Sequence, residues 1–230
     1  MGKTLLITGA NRGIGLEMTR QATARGDTVI ACTRNALESP DLVALAKQHD
    51  AITVLGLDVT AETDMKQIAA GMRRSIDILV CNAGALNGYG GLEDPAHNTA
   101  AIENVLMTNI AGVFLTARSF LPHLLDGTPG KIAVISSIMG SQELASSNAP
   151  IYRASKAAAT NLARSMAVEL APQAVAVGAF HPGWVRTDMG GPQASVSPSD
   201  SAAGLLQRFD ALTLDRTGIF EDFQGSSLPF

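Results

Sequence analysis

Short apolar runs alternate with segments of helical periodicity along almost the whole chain. The runs predict strands at 4–8, 28–32, 52–57, 76–81, 131–136 and 174–180, with a short one near 217–220. The periodic segments predict helices at 13–25, 38–48, 61–73, 98–124, 151–170 and 199–212. Runs as continuous as Ile132-Ala133-Val134-Ile135 are typical of parallel strands covered by helices on both faces. The pattern therefore predicts an α/β fold, a doubly wound, Rossmann-like parallel sheet.

No linker, internal repeat or low-complexity tract interrupts this alternation. The chain, 1–230, is therefore predicted to form one domain. The pattern is weakest in the glycine- and proline-rich stretch after Met189, which predicts a flexible substrate loop at about 189–199.

Composition narrows the classes of partner. The chain is 46% hydrophobic and 17% charged with a net charge of −4, which indicates a globular protein and argues against nucleic acid or an anionic membrane as partner. We expect no apolar run long enough for a membrane span, and no signal or transit segment before the first strand. Cys32 and Cys81 are expected to be buried free thiols, which favours a cytoplasmic location. The four histidines show no ligand-like spacing, so no metal site is expected.

The stretch Lys3–Gly15, KTLLITGANRGIG, joins a predicted buried strand to a predicted helix through Gly9, Gly13 and Gly15. Strand, glycine turn and helix start are the context in which backbone N–H groups bind a pyrophosphate. The alternative is an ordinary strand-to-helix turn, because short glycine motifs recur by chance.

Polar and glycine residues also follow the later strands. In open parallel sheets ligands bind at the carboxyl ends of the strands, so these residues are expected to lie together. They are Thr33-Arg34, Asp58, Asn82-Ala83-Gly84, Ser136-Ser137 and His181-Pro182-Gly183-Trp184.

Arg34 follows the second strand, where a chain that selects NAD usually carries an acidic residue for the ribose hydroxyls. A guanidinium suits a 2′-phosphate, and Arg12 could reach the same group, so NADP(H) is favoured over NAD(H). The alternative is that both arginines are solvated surface charges. Asp58 could accept a hydrogen bond from an adenine amino group or could cap the helix that follows it.

Tyr152 and Lys156 stand four residues apart, so they share one face of a predicted helix. A nearby ammonium favours phenolate, so Lys156 is expected to lower the pKa of Tyr152 and make it an acid or base. Ser137 could donate a hydrogen bond to the same substrate oxygen. Asn109 lies in the middle of a helix, where a polar role is credible.

In combination, these motifs resemble the short-chain dehydrogenase/reductase family over nearly the full chain, in particular its sniffer, C-factor and carbonyl reductase branch. The resemblance rests on Thr8–Gly15, Asp58-Val59, Asn82-Ala83-Gly84, Asn109, Ser137 with Gly140, Tyr152–Lys156 and Pro182–Thr187. Three departures from the family pattern are Cys81, where the family usually has asparagine, a longer gap between Ser137 and Tyr152, around 141–149, and a short, glycine-rich loop after Met189.

The resemblance implies a catalytic tetrad. Tyr152 would protonate the carbonyl oxygen, Ser137 would polarise it, and Lys156 would hold the ribose hydroxyls. Asn109 would anchor a water that extends the proton relay. The family also implies a homodimer or homotetramer, and the small residues Ala111, Gly112, Ala157 and Ala158 would allow close helix packing.

The other implied positions bind cofactor or substrate. The cofactor positions are Gly9, Asn11, Arg12, Gly13, Ile14, Gly15, Arg34, Asp58, Val59, Asn82, Ala83, Gly84, Tyr152, Lys156, Pro182, Gly183, Val185 and Thr187. For Thr187 the alternative is a capping role. The substrate positions are Ser137, Met139, Gln142, Leu144, Tyr152 and Trp184. His181 is expected to be a strand-end residue with a satisfied ring.

The sequence therefore predicts an NADP(H)-dependent oxidoreductase that acts on a small carbonyl or alcohol substrate. A nucleotide-binding sensor or signalling protein with little turnover is the alternative. A sugar-nucleotide epimerase is less favoured, because only about fifty residues follow the sixth strand, too few for a substrate domain.

Overall fold

The computed structural model describes residues 2–126 and 129–230. Its strands are β1 (Thr4–Thr8), β2 (Thr28–Thr33), β3 (Ile52–Gly56), β4 (Ile78–Cys81), β5 (Lys131–Ile135), β6 (Ala176–His181) and β7 (Phe220–Asp222). Its α-helices are α1 (Gly13–Ala24), α2 (Pro40–Gln48), α3 (Glu62–Gly71), α4 (Thr99–Leu106), α5 (Gly112–Leu124), α6 (Pro150–Leu170) and α7 (Pro198–Ala211). The predicted order of strands and helices is confirmed, with shifts of a few residues at the boundaries.

The strands form one parallel sheet in the order β3-β2-β1-β4-β5-β6-β7. The predicted α/β doubly wound fold is therefore correct. The chain reverses its direction of sheet growth between β1 and β4, and this switch point is where open sheets of this kind form their ligand crevice.

Two apolar layers enclose the sheet. On one face, Met18 of α1, Leu42 of α2 and Phe209 of α7 belong to one buried cluster. On the other face, α3, α5 and α6 contribute Met65, Phe120 and Met166, among others, to a second cluster. The sheet is covered on both sides, which explains why its strands are apolar throughout.

The predicted helix at 98–124 contains an irregularity that periodicity did not reveal. A π-helical turn, Met107–Ala111, separates α4 from α5 and holds Asn109. A π turn widens the helix by one residue, and such turns occur frequently at functional sites.

The same helical segment corrects the expectation about membrane spans. Thr99–Leu124 is long and apolar enough to cross a membrane, although one-third of its most apolar window is buried inside the protein. Its buried positions include Val113 and Phe120, which belong to the core cluster on one face of the sheet. A single helix of this kind is weak evidence for a span, because core helices of globular domains have the same length and composition.

The stretch predicted as a flexible loop carries several hydrogen bonds. Backbone bonds join Val196 N to Trp184 O and Arg186 N to Val196 O, each at 2.9 Å. Pro198 already belongs to α7, whose N-cap Ser197 accepts a hydrogen bond from Asp200 N. The flexibility of residues 189–199 stays a prediction.

Candidate functional site

The turn between β1 and α1 requires glycine at three positions. Gly9 and Gly13 have φ values of +66° and +54°, which residues other than glycine rarely adopt. A Cβ on Gly15 would lie 2.2 Å from the carbonyl oxygen of Gly9 and 2.7 Å from Asn82 Nδ2. The tight turn expected from the sequence is therefore present.

Asn82, at the end of β4, fastens this turn to the neighbouring strand. Its Nδ2 donates to the carbonyl oxygens of Thr8 at 2.9 Å and Gly9 at 3.1 Å. In return, Thr8 Oγ1 accepts from the backbone N–H groups of Asn82 and Ala83, at 3.0 and 3.1 Å. The two strands that flank the switch point are thus joined at the residues predicted to bind cofactor.

The cradle left by these glycines fits a dinucleotide pyrophosphate. Helix α1 begins at Gly13, and its N-cap residue, Arg12, makes no side-chain cap. The helix therefore presents its first N–H groups and the positive end of its dipole beside the glycine turn. These are the groups that hold a diphosphate in a strand–turn–helix site.

The charged residues around the glycine turn are either exposed or bonded to other protein groups. Arg34 is exposed just beyond β2. Arg12 pairs with Asp188 at 2.5 Å, and both side chains are largely exposed. Asp58 Oδ1 accepts from Thr60 N and Oγ1, which forms a turn before α3, whereas Ala61 is the N-cap of that helix. Asp58 therefore supports the turn and is not the cap itself.

Tyr152, Lys156 and Ser137 come together at the carboxyl end of β5. The Lys156 ammonium lies 5.7 Å from the centre of the Tyr152 ring and donates to Ile135 O at 2.8 Å. Ser137 Oγ accepts from Met139 N at 3.1 Å, and the Ser137 side chain also acts on Tyr152 through a hydrogen bond. The phenol, ammonium and hydroxyl therefore lie close together at this edge of the sheet, and their catalytic roles stay a prediction.

Burial shifts the pKa values of Tyr152 and Lys156 in opposite directions. It raises the pKa of Tyr152 to about 12, with the Ser137 hydrogen bond acting in the opposite direction, and lowers the pKa of Lys156 to about 8. The pKa of Tyr152 is therefore raised, contrary to the expectation that Lys156 lowers it. Tyr152 is neutral at physiological pH, which is the state required of a proton donor.

Asn109 is fully buried in the π turn. Its Oδ1 accepts from Ala85 N at 2.7 Å, and its Nδ2 donates to Ala85 O and Ser155 Oγ, both at 2.9 Å. These bonds tie the segment after β4 to α6. The side-chain amide is engaged with protein groups, and the water-anchoring role of Asn109 stays a prediction.

Beside Tyr152 lies a tight cleft, with no free volume for a water molecule, that sequence reasoning missed. Apart from Tyr152, none of the predicted substrate residues lines it. It is lined by Leu86, Asn87, Gly88, His97, Ala101, Ile102, Val105, Ile151 and Tyr152. The sequence did contain an indication of these lining residues. Residues 85–97 follow the Asn82-Ala83-Gly84 motif and must therefore lie at the same edge of the sheet.

The other predicted substrate residues lie on loops around Tyr152. Met139 is partly buried, whereas Gln142 and Leu144 are exposed in the loop 139–149, which we call the 139–149 wall. Trp184 is 54% exposed, and its Nε1 donates to Gly190 O at 2.8 Å. A substrate role for these four residues stays a prediction.

Three further residues shape the site. Ser136 Oγ bonds to Thr160 Oγ1 at 2.6 Å and to Lys156 O at 3.1 Å, which holds α6 against β5. Tyr89 donates its hydroxyl to Met189 O at 2.6 Å and so joins two loops. Arg153 contacts the 139–149 wall. Side-chain contacts of this kind leave no periodic pattern in the sequence.

The segment after β6 carries the remaining predicted cofactor positions. Gly183 has a φ of +85°, Val185 is buried, and Pro182 O accepts from Ser201 Oγ at 2.7 Å. Thr187 Oγ1 accepts from Gly190 N at 3.2 Å within a turn, and no described helix begins at this residue, so the contact stabilises the turn and does not cap a helix. Contact of Thr187 with a cofactor stays a prediction.

His181, at the end of β6, corrects one expectation. Its Nδ1 is buried and has no hydrogen-bond partner among the described residues, so the ring is not fully satisfied. Burial lowers the pKa of His181 to about 4, and Asp222 acts in the opposite direction. The ring is therefore neutral over most of the physiological range.

Cys32 and Cys81 are buried and free, as predicted, and burial raises the pKa of each thiol to about 12. Within residues 2–126 and 129–230, no group of three or more His, Cys, Asp or Glu side chains could hold a metal ion.

Comparison with known proteins identifies relatives of this chain. Residues 3–196 match the family model described as short chain dehydrogenase. The C-signal protein of Myxococcus xanthus is 35% identical over 156 residues, which cover 67% of this chain and 93% of that protein.

Two solved structures share the whole fold. The carbonyl reductase Sniffer of D. melanogaster matches with a TM-score of 0.93 and 26% identity, covering 100% of both chains. The NADPH-bound carbonyl reductase from chicken fatty liver matches with a TM-score of 0.90 and 28% identity, covering 99% of both chains.

Proposed function

Because the chain belongs to the short-chain dehydrogenase family and is one of its oxidoreductases, we propose that it is an NADP(H)-dependent carbonyl reductase. The observation that carries the proposal is the convergence of Tyr152, Lys156 and Ser137 at the end of β5, beside the crevice that opens between β1 and β4. The likeness to two carbonyl reductases supports the same activity.

Tyr152 is the proton donor in this proposal. Its raised pKa keeps the phenol protonated at neutral pH, so it can donate to the carbonyl oxygen as negative charge develops there. Ser137 lies within reach of the same phenol and would orient the substrate oxygen. The nicotinamide supplies the hydride when it is bound.

Lys156 serves the cofactor side. Its pKa of about 8 leaves the ammonium mostly charged at neutral pH, and its position against Ile135 O fixes it between β5 and α6. It would hold the ribose hydroxyls and return a proton toward Tyr152. Asn109 supports this arrangement by fastening Ala85 to Ser155.

The choice of NADP(H) rests on charge. Arg34 is exposed just after β2, and Arg12 lies within the glycine turn, where its ion pair to Asp188 is exposed. Exposed pairs contribute about 1 kcal/mol or less, so a 2′-phosphate could displace Asp188. Titration of NADPH and NADH should show tighter binding of NADPH, and Arg34→Ala should remove most of the difference. Equal affinities in the wild type would contradict the assignment.

The alternative is a nucleotide-binding sensor or signalling protein. It is supported by the likeness to C-signal. A panel of aldehydes, ketones and quinones with NADPH separates the two functions, because a carbonyl reductase consumes NADPH with at least one of them. Tight NADPH binding without turnover on any compound would favour the sensor.

Two properties beyond the reaction also belong to this proposal. A homodimer or homotetramer could use the exposed apolar side chains Leu106, Met107 and Phe114 on the α4–α5 segment. Gly112, however, packs against Val59 within the chain, so its small size already has an internal reason. The two free thiols fit a reducing, cytoplasmic location.

A further inference from the structure

The 139–149 wall has little backbone structure of its own. Gln142 N donates to Phe230 O at 3.1 Å, and Ala149 N donates to Gly90 O at 2.9 Å. Between these two anchors, residues 143–148 make no backbone-to-backbone hydrogen bond to any described residue. An exposed segment of this kind needs side-chain contacts to keep one conformation.

Arg153 supplies those contacts. Its Nε donates to Asn148 O at 3.0 Å and Asn148 Oδ1 at 3.2 Å, and one terminal nitrogen donates to the same Oδ1 at 3.1 Å. The other terminal nitrogen donates to Met139 O at 3.2 Å and Leu144 O at 3.0 Å. One guanidinium therefore joins the start, middle and end of the wall.

The chemistry of the residue matches this role. A guanidinium presents five N–H donors in a fixed plane, whereas an ammonium offers three from a single point. No ion pair between described residues involves Arg153, and all its acceptors are neutral oxygens. The side chain therefore acts as a multiple donor and not as the partner of a carboxylate.

Its position links the wall to the reacting group. Arg153 directly follows Tyr152 on the first turns of α6, a helix of 21 residues. Helix backbone is stiff, so the distance between the phenol of Tyr152 and the wall depends on the Arg153 contacts. The wall also begins beside the proposed substrate-binding hydroxyl, because the N–H of Met139 donates to Ser137 Oγ at 3.1 Å.

We propose that Arg153 is a positioning residue that sets substrate specificity by holding the 139–149 wall at a fixed place beside Tyr152. The inference rests on the proposed carbonyl reductase function. Large substrates that reach the wall should depend on Arg153, and small ones that occupy only the space at Tyr152 should not.

The kinetic test compares propanal with benzil, a small and a large carbonyl compound, in wild type, Arg153→Lys and Arg153→Ala. Arg153→Ala should raise KM for benzil about tenfold while kcat for propanal and Kd for NADPH change less than about twofold. The benzil KM of Arg153→Lys should lie between those of the wild type and Arg153→Ala, because lysine keeps the positive charge but lacks the planar set of N–H donors. An equal loss with both compounds, or no loss with benzil, would overturn the proposal.

Hydrogen exchange tests the wall without any turnover. In Arg153→Ala, the amides of Gln142 and Ala149 should exchange faster, whereas peptides from β1 and α1 should not change. Arg118→Ala on α5 is the matched control, because that arginine binds Glu62 far from the wall. Unchanged exchange in residues 139–149 would overturn the proposal.

Asn148→Ala gives a second approach if Arg153→Ala does not fold. It removes the side-chain oxygen that two Arg153 nitrogens share, so it should raise the benzil KM in the same direction, and its effect should not add to that of Arg153→Lys. Full additivity would count against the proposal. If the wild type reduces neither compound, the comparison uses a small and a large carbonyl compound from the panel that it does reduce. If it reduces none of the panel, the proposed function fails, and the exchange experiment still decides whether Arg153 holds the wall.

Discussion

The two sides of the crevice are built differently. On the cofactor side, the backbone of Gly9 lies so close to Gly15 that only glycine fits at position 15. Asn82, just after β4, donates hydrogen bonds to the carbonyl oxygens of Thr8 and Gly9 and so holds this turn in place. On the substrate side, Arg153 holds the 139–149 wall through side-chain bonds to Met139 O and Leu144 O, and the Tyr89 hydroxyl joins the loop at 85–97 to Met189 O. A steric requirement for glycine leaves a motif in the sequence, whereas side-chain hydrogen bonds to loop carbonyls do not.

The largest expected effect is on the cofactor side. Gly15→Ala would place a methyl group 2.2 Å from a backbone oxygen that cannot retreat, so it should abolish NADPH binding and lower the free energy of unfolding by about 3 kcal/mol or more. Thermal and denaturant unfolding, together with NADPH titration, measure both. Gly71→Ala is the control, because a Cβ there would meet nothing within 4 Å. Normal binding by Gly15→Ala would contradict the steric account.

A second prediction tests a residue at the border of the two sides. His181 has a pKa lowered to about 4 by burial, so between pH 6.5 and 4 the unfolded chain binds a proton that the folded chain does not. The stabilising contribution is complete above pH 6.5 and is lost as pH falls toward 4, by at most about 3 kcal/mol. His181→Gln should flatten the dependence of unfolding free energy on pH over this window. Parallel curves for the two proteins would show that His181 does not titrate as described.

These two sites also show what could be predicted from sequence. The sheet, its switch point and the glycine turn followed from periodicity and from glycine's access to positive φ. The neutral ring of His181 with an unpartnered Nδ1 did not, because its environment is assembled by packing that no short pattern encodes. The same reason explains why the cleft beside Tyr152 and the π turn at Asn109 were not predicted. It also explains the pKa of Tyr152, which burial raises although Lys156 was expected to lower it.

The smallest effect is expected on the substrate side. Tyr89→Phe removes the hydroxyl that donates to Met189 O, which should cost less than about 1.5 kcal/mol of unfolding free energy. Because the lost bond joins two loops over the site, KM for a carbonyl substrate should still rise about threefold to tenfold. Steady-state kinetics of the variant measure this directly. An unchanged KM would mean that the two loops keep their places without Tyr89.

The most direct test of the central claim is the turnover of Tyr152→Phe with NADPH and a carbonyl compound that the wild type reduces. Loss of the phenol removes the proton donor but leaves the glycine turn intact, so kcat should fall by about 100-fold or more while Kd for NADPH stays within about twofold of the wild-type value. Tyr89→Phe, which removes the other tyrosine hydroxyl near the site, should keep most of its kcat. A Tyr152→Phe variant that retains more than about a tenth of the wild-type kcat would contradict the proton role assigned to Tyr152.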